Sequence, residues 1–355
     1  MGFNLVNGLN YSALNCHKYD EDRLSFTLPL RNSVLNNFAN IYFYGYGRTA
    51  LEFGYALIGL KKGDEILYPE YICDVTLVPV KRLGLTVKFY PVDDGLRPEL
   101  DEVRKLITTK TRAFLSVDYF GFHQPFNAIR AFCRENDIYY VEDNAHGFLS
   151  CYNEEPLGSF GDISIVSPRK TFDTFNGAAL VINNRELLPL PKQISEDYFK
   201  CGLLKERGLV KRIKVFKWHI ERKLGRKLFK RKFCTPRHGS TQDEDLPYLI
   251  DSLSLEKIRK ANHAEEIGRR RRQYLNWLVF SKDHEDLLPL FTSLPDGVCP
   301  LAAPFLTRNR DKWLKWGDEK GLNVSTWPTL PVEVSRNGNS KAVKLWEKLL
   351  LFPLV

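Results

Sequence analysis

Between Tyr42 and Asn184 the chain alternates short apolar runs, rich in β-branched and aromatic residues, with longer stretches whose apolar positions recur at helical spacing. Strands are predicted at 65–68 (EILY), 85–90 (LTVKFY), 112–120 (RAFLSVDYF), 138–143 (IYYVED), 163–167 (ISIVS) and 179–183 (ALVIN). Helices are predicted at 49–60, 71–84, 97–107 and 126–136. Strand and helix in turn describe an α/β domain built on a mostly parallel sheet. Beyond a polar linker at 238–248, one helix is predicted over 255–280, with Ile258, Ala261, Ala264, Ile267, Tyr274 and Leu278 along one side. From Leu287 onward, prolines, short strands and two Trp-bearing helices predict a small α+β domain. The chain thus divides into an N-terminal segment (1–40), a large domain (41–200), a basic helical insert (201–247) and a small C-terminal domain (248–355).

With 355 residues, 43% of them hydrophobic, the chain can bury a sizeable core. Its seven cysteines are dispersed, odd in number and never spaced as CxxC, which argues against a disulfide framework and against a zinc site. Neither an export signal nor a long apolar span is visible, so a cytoplasmic location is expected. The net charge of +9 is concentrated. Residues 203–233 hold 13 Lys/Arg against two Glu, a local +11, so the remainder carries 9 − 11 = −2. Val210, Ile213, Phe216, Ile220, Leu224 and Leu228 make this segment an amphipathic basic helix by pattern. Three uses stay open for it: a solvated face, contact with an anionic membrane surface, or contact with a phosphorylated substrate. Nucleic acid is not expected, because no reading motif accompanies the charge.

Ligands of open α/β sheets bind beyond the carboxyl ends of the strands, and three such places carry chemistry. In YGYGRTALEF (44–53), Gly47 leads into a helix whose first amides, at Arg48, Thr49 and Ala50, suit a phosphate. In YYVEDNAHG (139–147), Asp143 ends a strand and His146 follows three residues on. An Asp there can hold a heterocyclic nitrogen protonated; the bland alternative is a helix cap beside a packed histidine. In GDISIVSPRKTF (161–172), Ser167 precedes Lys170 by three residues, and Lys170 is either a surface turn lysine or a nucleophile made neutral by partial desolvation.

Taken in order, a glycine-led phosphate cup, strand-Asp-x-x-His and strand-Ser-x-x-Lys form the layout of fold type I pyridoxal phosphate enzymes. With the phrases GRTALE, GDEILYPEYIC, GLTVKFYPVD, DYFGFHQP, YYVEDNAHG and GSFGDISIVSPRKTF, the chain resembles the DegT/DnrJ/StrS sugar aminotransferase family. The resemblance implies a fold type I transferase, with a large domain around a mostly parallel sheet and a smaller C-terminal α+β domain, using pyridoxal 5′-phosphate. It implies that Lys170 forms the Schiff base with the cofactor, that Asp143 pairs with the pyridinium nitrogen and that His146 lies near the phenolic oxygen. Gly47, Arg48, Thr49 and Ser167 would hold the phosphate. Relatives usually carry a ring-stacking aromatic where this chain has Cys73, so Tyr71 or another group must cover the ring, or the ring is less covered. Asn176-Gly177-Ala178 replaces a common Gly-Gly turn. The implied partners are a nucleotide-linked keto-sugar, an amino donor such as glutamate, and a second copy of the chain in a homodimer. Sugar dehydratases of this group replace the lysine by His, so Lys170 points to amino transfer. Other readings are a non-sugar keto acceptor and a non-catalytic scaffold tethered by the basic helix.

Overall fold

The computed structural model describes residues 38, 40–172, 174–192, 194, 249–338 and 340–354. The basic 203–233 segment lies outside the described residues. The large sheet is formed by β1 (Ile41–Tyr44), β2 (Glu65–Pro69), β3 (Thr86–Tyr90), β4 (Thr111–Val117), β5 (Tyr139–Asn144), β8 (Ile163–Val166) and β9 (Ala178–Ile182). A two-stranded hairpin, β6 (Cys151–Tyr152) and β7 (Glu155–Pro156), stands apart from it. The order across the large sheet is β1-β9-β8-β5-β4-β2-β3. Its five strands from β8 to β3 are parallel neighbours, whereas β9 runs antiparallel to both β8 and β1. Every residue of β1, β2, β8 and β9 is buried, as expected where both faces of a sheet are covered.

Helices α1 (Gly47–Leu57), α2 (Leu77–Leu83), α3 (Leu100–Arg104), α4 (Phe126–Glu135) and the one-turn α5 (Pro168–Thr171) connect these strands. Helix α1 lies against β8 and β9 so closely that a Cβ at Gly54 would come within 2.7 Å of the Ile163 side chain. The helix predicted at 71–84 begins later: Asp74–Thr76 form a 3-10 turn and regular helix starts at Leu77. The long helix predicted over 255–280 is two helices, Ser252–Lys260 and His263–Ser281. The break is local chemistry. Ala261 is extended (φ −64, ψ 140), and the Asn262 side chain accepts the Glu265 N–H as a cap.

The C-terminal part holds an antiparallel sheet of β10 (Leu288–Pro289), β11 (Ala303–Leu306) and β12 (Leu349–Phe352), with the aromatic side chains of Trp277, Phe280, Trp313, Trp316 and Phe352 packed together beside it. Large and small parts are joined by polar contacts: Ser340 Oγ donates to Glu70 Oε2 (2.6 Å), and Thr329 Oγ1 donates to Asp74 Oδ1 (2.6 Å). Among the described residues, no helix is long and apolar enough to cross a membrane.

Candidate active site

Strands β4, β5 and β8 end side by side, so the residues that follow them meet. Asp143, the penultimate residue of β5, is 4% exposed, and its Oδ1 accepts the Ala145 N–H (3.0 Å). Burial pushes its carboxyl up, while the Lys170 charge and the Ala145 hydrogen bond pull the other way. Lys170 sits on α5, whose turn is set by Lys170 N–H donating to the Ser167 carbonyl (3.0 Å) and Arg169 N–H donating to the Gly177 carbonyl (3.2 Å). The lysine keeps accessible surface, yet burial is the largest influence on its amine and pushes it below the ordinary lysine value. Asp143 opposes the shift, Arg169 adds to it, and Cys73 opposes it more weakly. The amine is thereby made more nucleophilic near neutrality.

His146 is brought to the same place. Its Nδ1 accepts the Phe120 N–H (3.3 Å), and its ring stacks on Phe120 (5.8 Å, 22°) and meets Trp327 edge-on (5.5 Å, 74°). Burial first, then the Lys170 charge, hold it well below the usual histidine value, so it is neutral. With Nδ1 accepting, the proton resides on Nε2, which is left to donate. Phe120 makes both contacts from a left-handed backbone (φ 57, ψ 14), a conformation costly for a bulky residue.

The start of α1 lies next to α5. Gly177 N–H donates to the Gly45 carbonyl (2.9 Å), and a Cβ on Gly47 would press on Ile165 of β8 at 3.2 Å. Gly47 is therefore needed for close helix–sheet packing. The expected row of open amides is shorter than the sequence suggested: Thr49 and Ala50 both donate to the Tyr46 carbonyl (3.1 and 3.2 Å). The guanidinium groups of Arg48 and Arg169 lie over the Tyr46 ring, at 4.6 and 5.1 Å from its centre. Together with the positive end of α1 they make this corner favourable to an anion. Thr49 and Ser167 are buried beside it, at 6% and 2% exposure.

Tyr71 corrects a sequence expectation. It has no accessible surface and is packed against Trp327 (4.8 Å) and Tyr119 (5.9 Å), so it is core and is not available to cover a ligand ring. The group from this segment that reaches the charge of Lys170 is Cys73, whose Sγ lies 3.5 Å from Thr329 Oγ1. The Asn176-Gly177 turn is a junction: Asp251 N–H donates to Asn176 Oδ1 (3.1 Å), and Gly177 (φ 135) passes beside Ile250 and Ile258.

Two buried acids behind Asp143 were not singled out from sequence. Glu142 accepts four hydrogen bonds, from the N–H groups of Gly158 (2.5 Å), Phe160 (2.7 Å) and Gly161 (3.0 Å) and from Ser164 Oγ (3.0 Å). Asp118, which follows β4 as Lys170's turn follows β8, is fully buried and no donor reaches either oxygen. Burial, then the neighbouring Glu142 and Asp143, push it well above the carboxylate range, so it is a neutral acid whose proton faces Glu142. The position of Asp118 at a strand's carboxyl end, shared with Asp143, is the signal that was available.

These residues suit a phosphorylated heteroaromatic aldehyde. An amine with lowered basicity suits the aldehyde, a poorly solvated carboxylate that lacks a full set of donors suits a protonated ring nitrogen, and an electropositive helix start suits the phosphate. Comparison with known proteins agrees. Residues 44–220 match the DegT/DnrJ/EryC1/StrS aminotransferase family.

The chain belongs to this family.

Among its relatives, the GDP-perosamine synthase of Vibrio cholerae is 26% identical over 167 residues, 46% of this chain and 43% of that enzyme. The GDP-4-keto-6-deoxy-D-mannose 3-dehydratase of Yersinia pseudotuberculosis is 30% identical over 130 residues, 36% of this chain and 33% of that enzyme. The chain thus spans less than half the length of these two members. The solved structure of PseC from Helicobacter pylori, an aminotransferase involved in the biosynthesis of pseudoaminic acid, covers 90% of this chain and 83% of its own at 18% identity and a TM-score of 0.66. That likeness establishes the fold type I architecture of the DegT/DnrJ/EryC1/StrS family for this chain.

Proposed function

We propose that this protein is a pyridoxal phosphate-dependent aminotransferase that passes an amino group, from a donor such as glutamate, to a nucleotide-linked keto-sugar. The observation that carries the reading is the juxtaposition of Lys170, its amine depressed by burial, with the buried Asp143 at the ends of adjoining strands. When bound, pyridoxal phosphate supplies an aldehyde carbon and an electron sink conjugated to it. Lys170 would hold that carbon through its amine, and the same amine, when free, would be the group placed to move a proton at the substrate. Asp143 would face the ring nitrogen and hold it protonated, with the ring's positive charge favouring the ionised carboxylate in return. His146 would donate from Nε2 to the phenolic oxygen, while Gly47, Arg48, Thr49 and Ser167 would hold the phosphate. Cys73, whose charge is felt at Lys170, would stand nearer the ring than Tyr71, which is enclosed in the core.

The relatives named for amino transfer act on GDP-, dTDP- or UDP-linked sugars, which supports a nucleotide-linked acceptor. A dehydratase also stands among them, and the lysine at position 170 favours amino transfer. The protein with cofactor is expected to show an absorbance band at about 410 nm that Lys170→Ala abolishes and glutamate bleaches. A wild type that never shows the band sinks the reading. Return of the band on mixing the aminated form with a panel of nucleotide keto-sugars identifies the acceptor.

A homodimer and a cytoplasmic location belong to the same reading. For the 203–233 segment, its +11 charge and apolar stripe support peripheral contact with an anionic membrane. Sedimentation with anionic liposomes at low and high salt tests this, and binding insensitive to salt, or none, refutes it.

A further inference from the structure

The His263–Ser281 helix carries four consecutive arginines, 269 to 272. By pattern such a run is a solvated face, but Arg270 is 6% exposed. All three of its nitrogens are engaged. Nε donates to Glu266 Oε1 (2.6 Å), Nη1 to the carbonyls of Leu301 (3.0 Å) and Pro300 (3.3 Å), and Nη2 to the carbonyl of Thr171 (2.8 Å). Thr171 directly follows Lys170 and ends α5, a single turn whose last carbonyls have no partner within the helix. On the other side, Leu301 N–H donates to the Phe120 carbonyl (2.9 Å), and Phe120 N–H donates to His146 Nδ1 (3.3 Å). One guanidinium is thus a single residue away from the amine along the chain and three hydrogen bonds away from the imidazole.

Resting on the functional reading above, we infer that Arg270 is a positioning residue that fixes the Lys170 turn and the loop under His146 in one mutual geometry. The planar fork suits this role. Its donors point in set directions, so carbonyls from two separate segments are held at a fixed angle to one another. Stability alone is a poor reason for it, since the desolvation of a buried ion pair offsets much of its attraction. A lysine at 270 keeps the charge beside Glu266 but is a point charge with no planar fork, so it does not impose the same angle.

The test uses the full chain as wild type, Arg270→Lys, Arg270→Met and Leu350→Ala; Leu350 is a fully buried residue of β12, in the other sheet, and its truncation lowers stability without touching this junction. The readouts are melting temperature and the rate at which Lys170 captures added pyridoxal 5′-phosphate. Capture is stopped at timed intervals with cyanoborohydride, quantified by the mass of the Lys170 peptide, and followed against pH. Arg270→Lys is expected to capture about tenfold more slowly or worse, as a misplaced reacting group does. Its pH midpoint should rise as the amine regains solvent. Leu350→Ala, at an equal or larger loss of melting temperature, should stay within about twofold of wild type. Arg270→Met should be slower still; if it does not fold, the comparison of Arg270→Lys with Leu350→Ala decides. Wild-type rate and midpoint in Arg270→Lys, or a loss that Leu350→Ala shares at matched melting temperature, overturns the inference alone. A wild type that captures nothing at Lys170 overturns the functional reading and this inference with it.

Discussion

Replacing Glu142 by Gln exchanges one atom in a fully buried side chain and disturbs four hydrogen bonds. The carboxylate Oε2 accepts from Phe160, Gly161 and Ser164, and Oε1 accepts from Gly158. A glutamine has one acceptor oxygen, so its best orientation keeps the first three partners and points NH2 at the Gly158 N–H. Two donors then face each other, which costs about 1–3 kcal/mol for the unsatisfied pair. The three retained bonds lose their charge assistance, about 1 kcal/mol each. The net expectation is a loss of about 4–6 kcal/mol, read from urea unfolding followed both by tryptophan fluorescence and by far-UV circular dichroism. Coincident transitions are needed for a chain of this size. A loss below about 1 kcal/mol would show that the Gly158–Gly161 turn does not depend on the charge, and would refute the reasoning.

Asp143→Asn removes a buried charge worth about 2–3 kcal/mol toward a protonated ring nitrogen, so the half-reaction with glutamate should slow about 30- to 150-fold in stopped-flow absorbance. A wild-type rate refutes Asp143's role. The capture of aldehyde by Lys170 should rise with pH about a midpoint below 10.5, because the folded protein penalises the ammonium form; that penalty is present below the folded value and gone above 10.5. A midpoint at or above 10.5 contradicts the burial argument, and in Asp143→Asn the midpoint should fall further, since Asp143 raises it. Gly121 has φ +90, and a Cβ there would lie 2.6 Å from the Cys299 carbonyl oxygen, so Gly121→Ala should lower stability by about 1–3 kcal/mol in thermal melts. An unchanged melting temperature would show that the loop yields freely.

The parts of the site legible in the sequence are those that follow a strand directly. Asp143, His146, Ser167 and Lys170 could be singled out as candidates because strand ends are recognisable from apolar runs, and ligands gather there. Asp118 follows the same rule, but its neutral state depends on two acids brought by β5, which no local pattern reveals. Arg270 was hidden in a run of four arginines, where periodicity does not tell which one turns inward. Tyr71 was expected at the ligand because it neighbours Cys73, yet a helix starting at Leu77 rather than at 71 leaves residues 71–73 as a loop that tucks the tyrosine into the core. The split at Ala261 escaped because Asn262 reads as an ordinary helix residue until its side chain is seen to cap. The antiparallel direction of β9 likewise depends on contacts distant in sequence.

The pairing of β1 with β9 joins Tyr42 to Leu180, residues 138 positions apart, and α1 begins only three residues after β1. During synthesis the anion corner at Gly47 must therefore wait for its supporting strand. At about 5–20 residues per second, that interval is roughly 7–28 seconds on the ribosome. Throughout it, β1 is an unpaired apolar strand. The last stitch of the large sheet brings the start of α1 and the lysine turn together, so a nascent chain arrested before residue 178 lacks that junction.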